Sequence, residues 1–145
     1  MEPPFQLLLR VRYAECDAQQ VVFNARYADY IDLAAGEFYR ALLGSYRALL
    51  ERGLDTQVVR LNIDWSASAH FDEVLELRVQ TLRIGNSSYS LQVDILRHED
   101  QRLLARGEVT YVMVDSTALH KVSVPDDLRE LLQRGAPGVR IDQAG

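Results

Sequence analysis

The chain has 145 residues, of which 48% are hydrophobic and 26% charged, and its formal net charge is −5 at pH 7. This length fits one domain, the hydrophobic fraction supports a sizeable core, and the charged fraction argues against disorder. The negative charge speaks against non-specific nucleic-acid binding, and a single cysteine, Cys16, excludes an internal disulfide and fits a reducing cytosol.

The first part of the sequence predicts a strand, a polar loop and a long helix. Residues 6–13 are apolar and then alternating, as in a strand, whereas residues 14–20 are polar. The apolar run is too short for a membrane span and lacks the basic flank of a signal peptide, so we expect a cytoplasmic protein that does not enter a membrane. From Asn24 onward, apolar residues recur at helical spacing. Asn24 suits the N-cap and Gly44 the stop of a helix of about five turns.

The rest of the sequence predicts a short helix, several strands and a last helix. A helical piece is expected from Tyr46 to Arg52. Four later stretches have strand character, mostly alternating between apolar and polar side chains: residues 56–65, 74–82, 89–95 and 103–113. Short turns between the later ones, such as Gly85–Ser88, predict an antiparallel meander. Pro125 opens a short helix through about Leu132, and the tail from Gly135 is expected to be loose.

The simplest way to bury one apolar-faced helix and four or five antiparallel strands is to wrap the sheet around the helix, which is an α+β arrangement. A curved sheet of this kind leaves open edges, and open edges are liabilities unless they are paired. We therefore expect a homodimer joined edge to edge. A tetramer is the further expectation, and the choice between the two stays open.

The stretch from Tyr13 to Tyr27 holds the strongest functional signal. It is a polar turn that contains the carboxylate of Asp17, followed by an apolar triplet and by the asparagine that opens the long helix. This layout can set Asp17 beside the free backbone N–H groups of a helix start. A carboxylate that faces such a pocket is suited to attack on an acyl carbonyl, and the N–H groups are suited to hold the resulting oxyanion.

The order of strand, acidic loop, helix and meander resembles the hotdog fold. The stretch above is similar to the signature of the 4-hydroxybenzoyl-CoA thioesterase and YbgC-like acyl-CoA thioesterase family at the following positions: Tyr13, Asp17, Val21, Val22, Phe23, Asn24 and Tyr27. Residues 66–77 and 107–115 continue the resemblance, which covers about residues 5–132. It implies a single domain over residues 1–145, with an antiparallel sheet of five to six strands around one long central helix.

Two positions depart from the family pattern. Gln20 stands where the family usually has glycine. If that position requires a positive φ, glutamine is disfavoured by around 1 kcal/mol. Asn24 replaces a histidine found in many YbgC-like members, which shifts the expected subfamily more than the chemistry.

The resemblance implies that Asp17 acts on a thioester as nucleophile or general base, and the choice stays open. The backbone N–H groups of Phe23, Asn24 and Ala25 would form the oxyanion hole. Tyr13 would position Asp17 or the acyl group, and Asn24 would cap the helix, contact the substrate or do both. Contacts with the substrate or CoA are expected from the following residues: Tyr27, Ser66, Gly85, Ser87 and Ser88. CoA enters as part of the substrate, and no metal or other cofactor is expected.

The leading interpretation is an acyl-CoA thioesterase, and two alternatives compete with it. A hotdog dehydratase generally needs a histidine paired with an acid, and residues 1–69 contain no histidine. A non-catalytic module that binds acyl-CoA or acyl carrier protein stays open because of Gln20. The acyl group stays open as well, as does the choice between CoA and acyl carrier protein as its carrier.

Overall fold

The computed structural model describes residues 2–145, and in this part the chain forms one sheet of six strands and three α-helices. The strands are β1 Phe5–Arg10, β2 Leu54–Trp65, β3 Val74–Ile84, β4 Ser88–Arg97, β5 Arg102–Asp115 and β6 Arg140–Gln143. The helices are α1 Arg26–Leu43, α2 Arg47–Glu51 and α3 Asp126–Arg134. The sheet order is β2-β5-β4-β3-β1-β6, and every pair is antiparallel except β1 with β6. No helix within residues 2–145 combines the length and apolarity needed to cross a membrane.

The long helix α1 lies against the inner face of this sheet. Its buried side chains recur every three or four residues: Tyr27, Tyr30, Ile31, Ala34, Ala35, Phe38 and Tyr39. On the inner strands, every second side chain points toward α1. Many of these side chains are fully buried, for example Leu7, Leu77 and Leu91. The α+β prediction of a sheet around one long helix is confirmed.

Helix and sheet approach each other most closely at Gly107 in β5. A Cβ atom at this position would clash with Cδ1 of Ile31 and lie 3.3 Å from its Cγ1. Ile31 is itself buried in the second turn of α1, so it has little room to move. The absence of a side chain at Gly107 therefore sets how deeply α1 sits in the sheet.

The start of α1 differs from the prediction. The helix begins at Arg26, and Ala25 occupies the N-cap position without any side-chain cap. The chain enters the helix through tight i to i−3 hydrogen bonds, in which the Arg26 and Tyr27 amides donate to the Phe23 and Asn24 carbonyl oxygens at 2.8 and 3.3 Å. The predicted N-cap role of Asn24 is therefore wrong, because Asn24 takes part through its main chain.

The expectation of a loose tail after Gly135 is also wrong. Strand β6 runs parallel to β1, with Gln6 beside Arg140 and Leu9 beside Gln143. Its sequence, Arg-Ile-Asp-Gln, has a single apolar residue and shows no strand pattern. Pairing with the otherwise open edge of β1 stabilises this strand, and a sequence window of the tail alone carries no sign of that edge.

The close approach at Gly107 predicts that Gly107→Ala lowers the free energy of unfolding by about 1–3 kcal/mol, because the new methyl group overpacks the core. Adding Ile31→Val removes Cδ1 and should recover part of this loss, so that the double variant loses less than the sum of the two single losses. Chemical denaturation measures both effects.

Gly36 supplies the matched control, since a Cβ at this exposed position of α1 would meet nothing within 4 Å. Gly36→Ala should raise stability by about 0.5–1 kcal/mol through its gain in helix propensity. Equal effects of the two glycine substitutions would contradict the role assigned to Gly107.

Candidate active site

The predicted site loop is a small hairpin between β1 and α1. After β1 the chain makes one 3₁₀ turn, Tyr13–Glu15, and then reverses direction. The Asp17 amide donates to the Val21 carbonyl oxygen and the Gln20 amide to the Asp17 carbonyl oxygen, both at 2.9 Å. Gln20 has a φ of 66°. The position where the family usually has glycine thus does adopt the left-handed conformation, at a cost of about 1 kcal/mol for glutamine.

The Asp17 carboxylate is half-buried, and one of its oxygens stabilises the hairpin. Oδ1 accepts a hydrogen bond from the Gln19 amide at 2.8 Å, which is an Asx turn. Oδ2 accepts no hydrogen bond from any residue between 2 and 145. One carboxylate oxygen is therefore left for other contacts.

The amides at the start of α1 are not equivalent. The Phe23 amide donates to the Glu15 carbonyl oxygen at 2.9 Å, so the expectation that it is a free oxyanion-hole donor is wrong. The amides of Asn24 and Ala25 donate no hydrogen bond within the described chain. They lie at the positive end of the dipole of an 18-residue helix. Two of the three expected donors are therefore available for an anion.

A buried carboxylate that the sequence analysis passed over, Glu15, fixes the hairpin to the helix. Glu15 is only 6% exposed. Its Oε1 accepts hydrogen bonds from the Arg12 amide at 2.8 Å and from the Tyr30 hydroxyl at 2.9 Å, and its Oε2 accepts two from the Arg12 guanidinium at 3.0 and 2.7 Å. Since Tyr30 belongs to the buried face of α1, Glu15 joins the loop directly to the helix.

The hydrogen bonds to Glu15 also decide its charge. Burial alone raises the pKa of Glu15, but the hydrogen bonds from the Arg12 amide and guanidinium and from Tyr30 outweigh burial, and the pKa lies below its ordinary value of 4.5. Glu15 is therefore ionised at neutral pH. The only sequence signal was an acid within the loop motif, and that signal does not distinguish a buried from an exposed side chain.

Three other predicted site residues occupy different environments. Tyr13 is 79% exposed, and its ring packs edge-on against Phe71 with a centroid distance of 5.8 Å. Tyr27 is buried in the core, where its hydroxyl accepts a hydrogen bond from the Ala69 amide at 3.0 Å. Ser66 is exposed just after β2, and its amide donates to the Leu104 carbonyl oxygen at 2.7 Å. Within residues 2–145 the Tyr13 hydroxyl forms no hydrogen bond with Asp17, and its expected contact with the acyl group stays a prediction. Tyr27 holds the segment around Ala69 against α1.

The turn with Gly85, Ser87 and Ser88 lies at the other end of the sheet. Asp17 follows the end of β1 that pairs with the first residue of β3, whereas this turn follows the last residue of β3. The length of β3 separates them by roughly 30 Å within one chain. The structure therefore does not bring this turn to the Asp17 hairpin of the same chain. Among residues 2–145, no three His, Cys, Asp or Glu side chains are grouped so that they could hold a metal ion.

The sheet edge beside the start of α1 is long and apolar. Val58, Val59, Leu61 and Trp65 of β2 are between 40 and 59% exposed, and β2 pairs only with β5 in the described chain. The Trp65 ring lies edge-on to Tyr27, in the first turn of α1, with a centroid distance of 6.0 Å. An exposed apolar edge of this kind typically marks an association surface.

Comparison with known proteins identifies relatives over most of the chain. The model of the family described as "Thioesterase-like superfamily" matches residues 11–132. A protein named "Acyl-CoA thioesterase YbgC" from Haemophilus influenzae is 26% identical, covering 86% of this chain and 91% of the relative. A "Putative esterase" from Aquifex aeolicus is 23% identical, covering 90% of this chain and 98% of the relative.

Solved structures agree with the fold. A crystal structure described as a thioesterase superfamily protein from Jannaschia sp. superposes with a TM-score of 0.84 at 21% identity, covering 94% of this chain and 97% of the other. A hypothetical protein from Aquifex aeolicus gives a TM-score of 0.82 at 23% identity, covering 89 and 99%. These likenesses confirm the predicted hotdog arrangement.

The environment of Glu15 predicts that Glu15→Gln lowers the free energy of unfolding by about 1–3 kcal/mol at pH 7, because an amide nitrogen in place of Oε2 cannot accept the two hydrogen bonds from the Arg12 guanidinium. In the wild type the pKa of Glu15 is lower in the folded than in the unfolded state. Its contribution is therefore complete above the ordinary value of 4.5 and is lost as pH falls through the folded-state pKa. Denaturation between pH 7 and pH 3 should show the difference between wild type and variant shrinking with acid.

Glu130→Gln, on the exposed side of α3, is the control and should leave stability nearly unchanged at every pH. A stability difference for Glu15→Gln that is the same at pH 7 and pH 3 would contradict the assigned role of the Glu15 charge.

Proposed function

The chain belongs to the thioesterase-like superfamily, and from that premise we propose that it hydrolyses acyl-CoA thioesters to a free acid and CoA. One observation carries the proposal. Asp17 lies in a hairpin that leads directly into α1, where the Asn24 and Ala25 amides have no partner within residues 2–145. Relatives named as acyl-CoA thioesterases support the same activity. We place the reaction in the cytoplasm.

In the proposed reaction the thioester carbonyl oxygen lies against the Asn24 and Ala25 amides. As a general base, Asp17 takes a proton from water while the water oxygen attacks the carbonyl carbon, and collapse of the tetrahedral oxyanion breaks the C–S bond and releases CoA. As a nucleophile, Asp17 itself attacks, CoA thiolate leaves, and water hydrolyses the resulting anhydride. A single turnover in H₂¹⁸O distinguishes these routes, because only the second exchanges oxygen with the Asp17 carboxylate. Neither route uses a metal or redox cofactor.

We further propose that two chains pair through β2 and that the substrate binds at their seam. The exposed apolar side chains of β2 and the contact between Trp65 and Tyr27 place this edge beside the start of α1. Antiparallel pairing of β2 with the same strand of a second copy would bring the far end of one chain to the Asp17 hairpin of the other. The antiparallel arrangement would also bring the Gly85–Ser88 turn of one chain closer to the Asp17 hairpin of the other. A tetramer would then require a second surface.

The alternatives make different predictions for the same assay. The structure brings His70 to the hairpin, where it bridges Val21, although the two are far apart in sequence. Its imidazole is more than half exposed and lies 3.4 Å from Glu73, an acid outside the hairpin, which gives a dehydratase little support. A non-catalytic module would bind acyl-CoA or acyl carrier protein without releasing thiol. Thiol release from a panel of acyl-CoAs and acyl carrier proteins therefore separates a thioesterase from both alternatives and identifies the carrier. A dehydratase would change the acyl chain and leave the thioester intact, whereas the module would change neither.

Asp17→Asn should lower kcat on acyl-CoA by about 10²-fold or more, because the amide is neither a base nor a nucleophile. The fold should persist, since an asparagine side-chain oxygen can still accept the hydrogen bond from the Gln19 amide. Steady-state thiol release and thermal denaturation measure the two properties.

Asp100, in the turn between β4 and β5, offers a matched control away from the β2 edge. Its Oδ1 accepts a hydrogen bond from the amide two residues on, Arg102, at 3.2 Å, which is the same type of turn. Asp100→Asn should keep full turnover. Wild-type turnover in Asp17→Asn would remove Asp17 from the chemistry.

The proposed seam predicts that Val58→Asp gives a monomer with little thioesterase activity, because pairing through β2 would bury an unpaired carboxylate. Leu82→Asp, at an exposed apolar position of β3, is the control and should keep the wild-type mass and activity. Light scattering coupled to gel filtration measures the mass. A fully active oligomer of Val58→Asp would exclude association through β2.

A further inference from the structure

The C-terminal strand ends beside the segment that supports the Asp17 hairpin. Strand β6 follows β1 in parallel as far as Gln143, which lies beside Leu9. The next residue, Ala144, accepts a hydrogen bond on its carbonyl oxygen from Nε of Arg10 at 3.1 Å. Arg10 is the last residue of β1. The tail therefore contacts the chain at the point where it leaves the sheet for the hairpin.

The same guanidinium holds the turn before β3. Nη1 of Arg10 donates to the Asp72 carbonyl oxygen at 2.9 Å and lies 3.5 Å from the Asp72 carboxylate. Asp72 has a φ of 71°, a left-handed conformation that residues with a side chain adopt rarely, although aspartate adopts it more often than most. A strained residue keeps such a conformation only where its surroundings hold it. Arg10 supplies two of the contacts that do so.

The turn held by Arg10 is bonded to the Asp17 hairpin. His70 forms a bridge with Val21, and the Val22 amide donates to the Ala69 carbonyl oxygen at 2.9 Å. The Val21 carbonyl oxygen in turn accepts the hydrogen bond from the Asp17 amide at 2.9 Å. A short series of main-chain contacts thus connects Arg10 to the backbone of Asp17.

We propose that Arg10 is a positioning residue for Asp17 and that the C-terminal strand completes its action by supplying the Ala144 carbonyl oxygen. The guanidinium fixes the Asp72 turn relative to the end of β1, and the turn fixes the Val21–Val22 side of the hairpin. Its contacts are largely exposed, so they contribute little to global stability. They matter for turnover because a small displacement of a reacting group is costly. This inference rests on the proposed role of Asp17 in thioester hydrolysis.

The test uses Arg10→Gln, a chain shortened to end at Asp142, and the combination of both changes. Each single change should lower kcat by about threefold to tenfold and leave KM within about twofold, since the hairpin and not the binding surface is affected. The combined variant should lose no more than the stronger single variant, because both changes remove the same connection. Amide hydrogen exchange at Val21 and Val22 should become faster in all three variants.

Arg106→Gln is the matched control. Arg106 is 52% exposed in its side chain, against 44% for Arg10, and it donates to Asp94 of β4 at 2.7 Å. It should leave kcat and the exchange at Val21 and Val22 unchanged, with a Tm change similar to that of Arg10→Gln.

Three results would overturn the proposal: an unchanged kcat in Arg10→Gln, a loss of Tm without a loss of kcat, or fully additive losses in the combined variant. If the wild-type chain releases no thiol, the proposed function fails by itself. The exchange rates at Val21 and Val22 then still decide whether Arg10 and the tail hold the hairpin.

Discussion

The burial of α1 in the concave face of the sheet is the constraint on which the rest of the structure depends. The depth of this burial is set at Gly107, where the sheet has no side chain and Ile31 of the helix occupies the space. Because the helix is fixed along its buried face, its first turn has one position relative to β2 and to the segment around Ala69. The amides of Asn24 and Ala25, which have no partner among residues 2–145, therefore occupy a defined place, and a preorganised donor needs no rearrangement when it meets charge.

The hairpin with Asp17 is attached to this helix from two sides. On one side is Glu15, which is buried and charged. It accepts hydrogen bonds from the Tyr30 hydroxyl and from both the amide and the guanidinium of Arg12. On the other side Val22 and the Tyr27 hydroxyl both bond to Ala69. These contacts offset the cost of a left-handed Gln20, which explains how the chain keeps the loop conformation without the usual glycine. A buried charge with this many donors specifies one geometry, since any rearrangement leaves it unpaired.

How far sequence alone predicts this molecule depends on the range of the interactions involved. The helix α1 and the strands β3, β4 and β5 were predictable because their apolar residues recur with periods of about 3.6 and 2 residues within a single segment. Strand β6 was not, since its pairing depends on an edge more than 130 residues away in sequence. Asn24 is a residue type that is favoured at the N-cap, yet the tight turn before the helix places Ala25 there, one residue later. The role of Glu15 depends on its burial, and the sequence of a polar loop does not show which of its acids is buried.

The two edges of the sheet are treated differently, and this difference bears on the site. The edge at β1 is covered by β6, a short strand with charged side chains that is a poor template for further pairing. The edge at β2 runs for 12 residues and exposes apolar side chains. Of the two edges, β2 is therefore the one available for pairing with another chain. It lies next to the first turn of α1, where Trp65 contacts Tyr27. Any groove that such pairing forms would border the Asn24 and Ala25 amides, while the covered edge ends at Arg10, on the opposite side of the same hairpin.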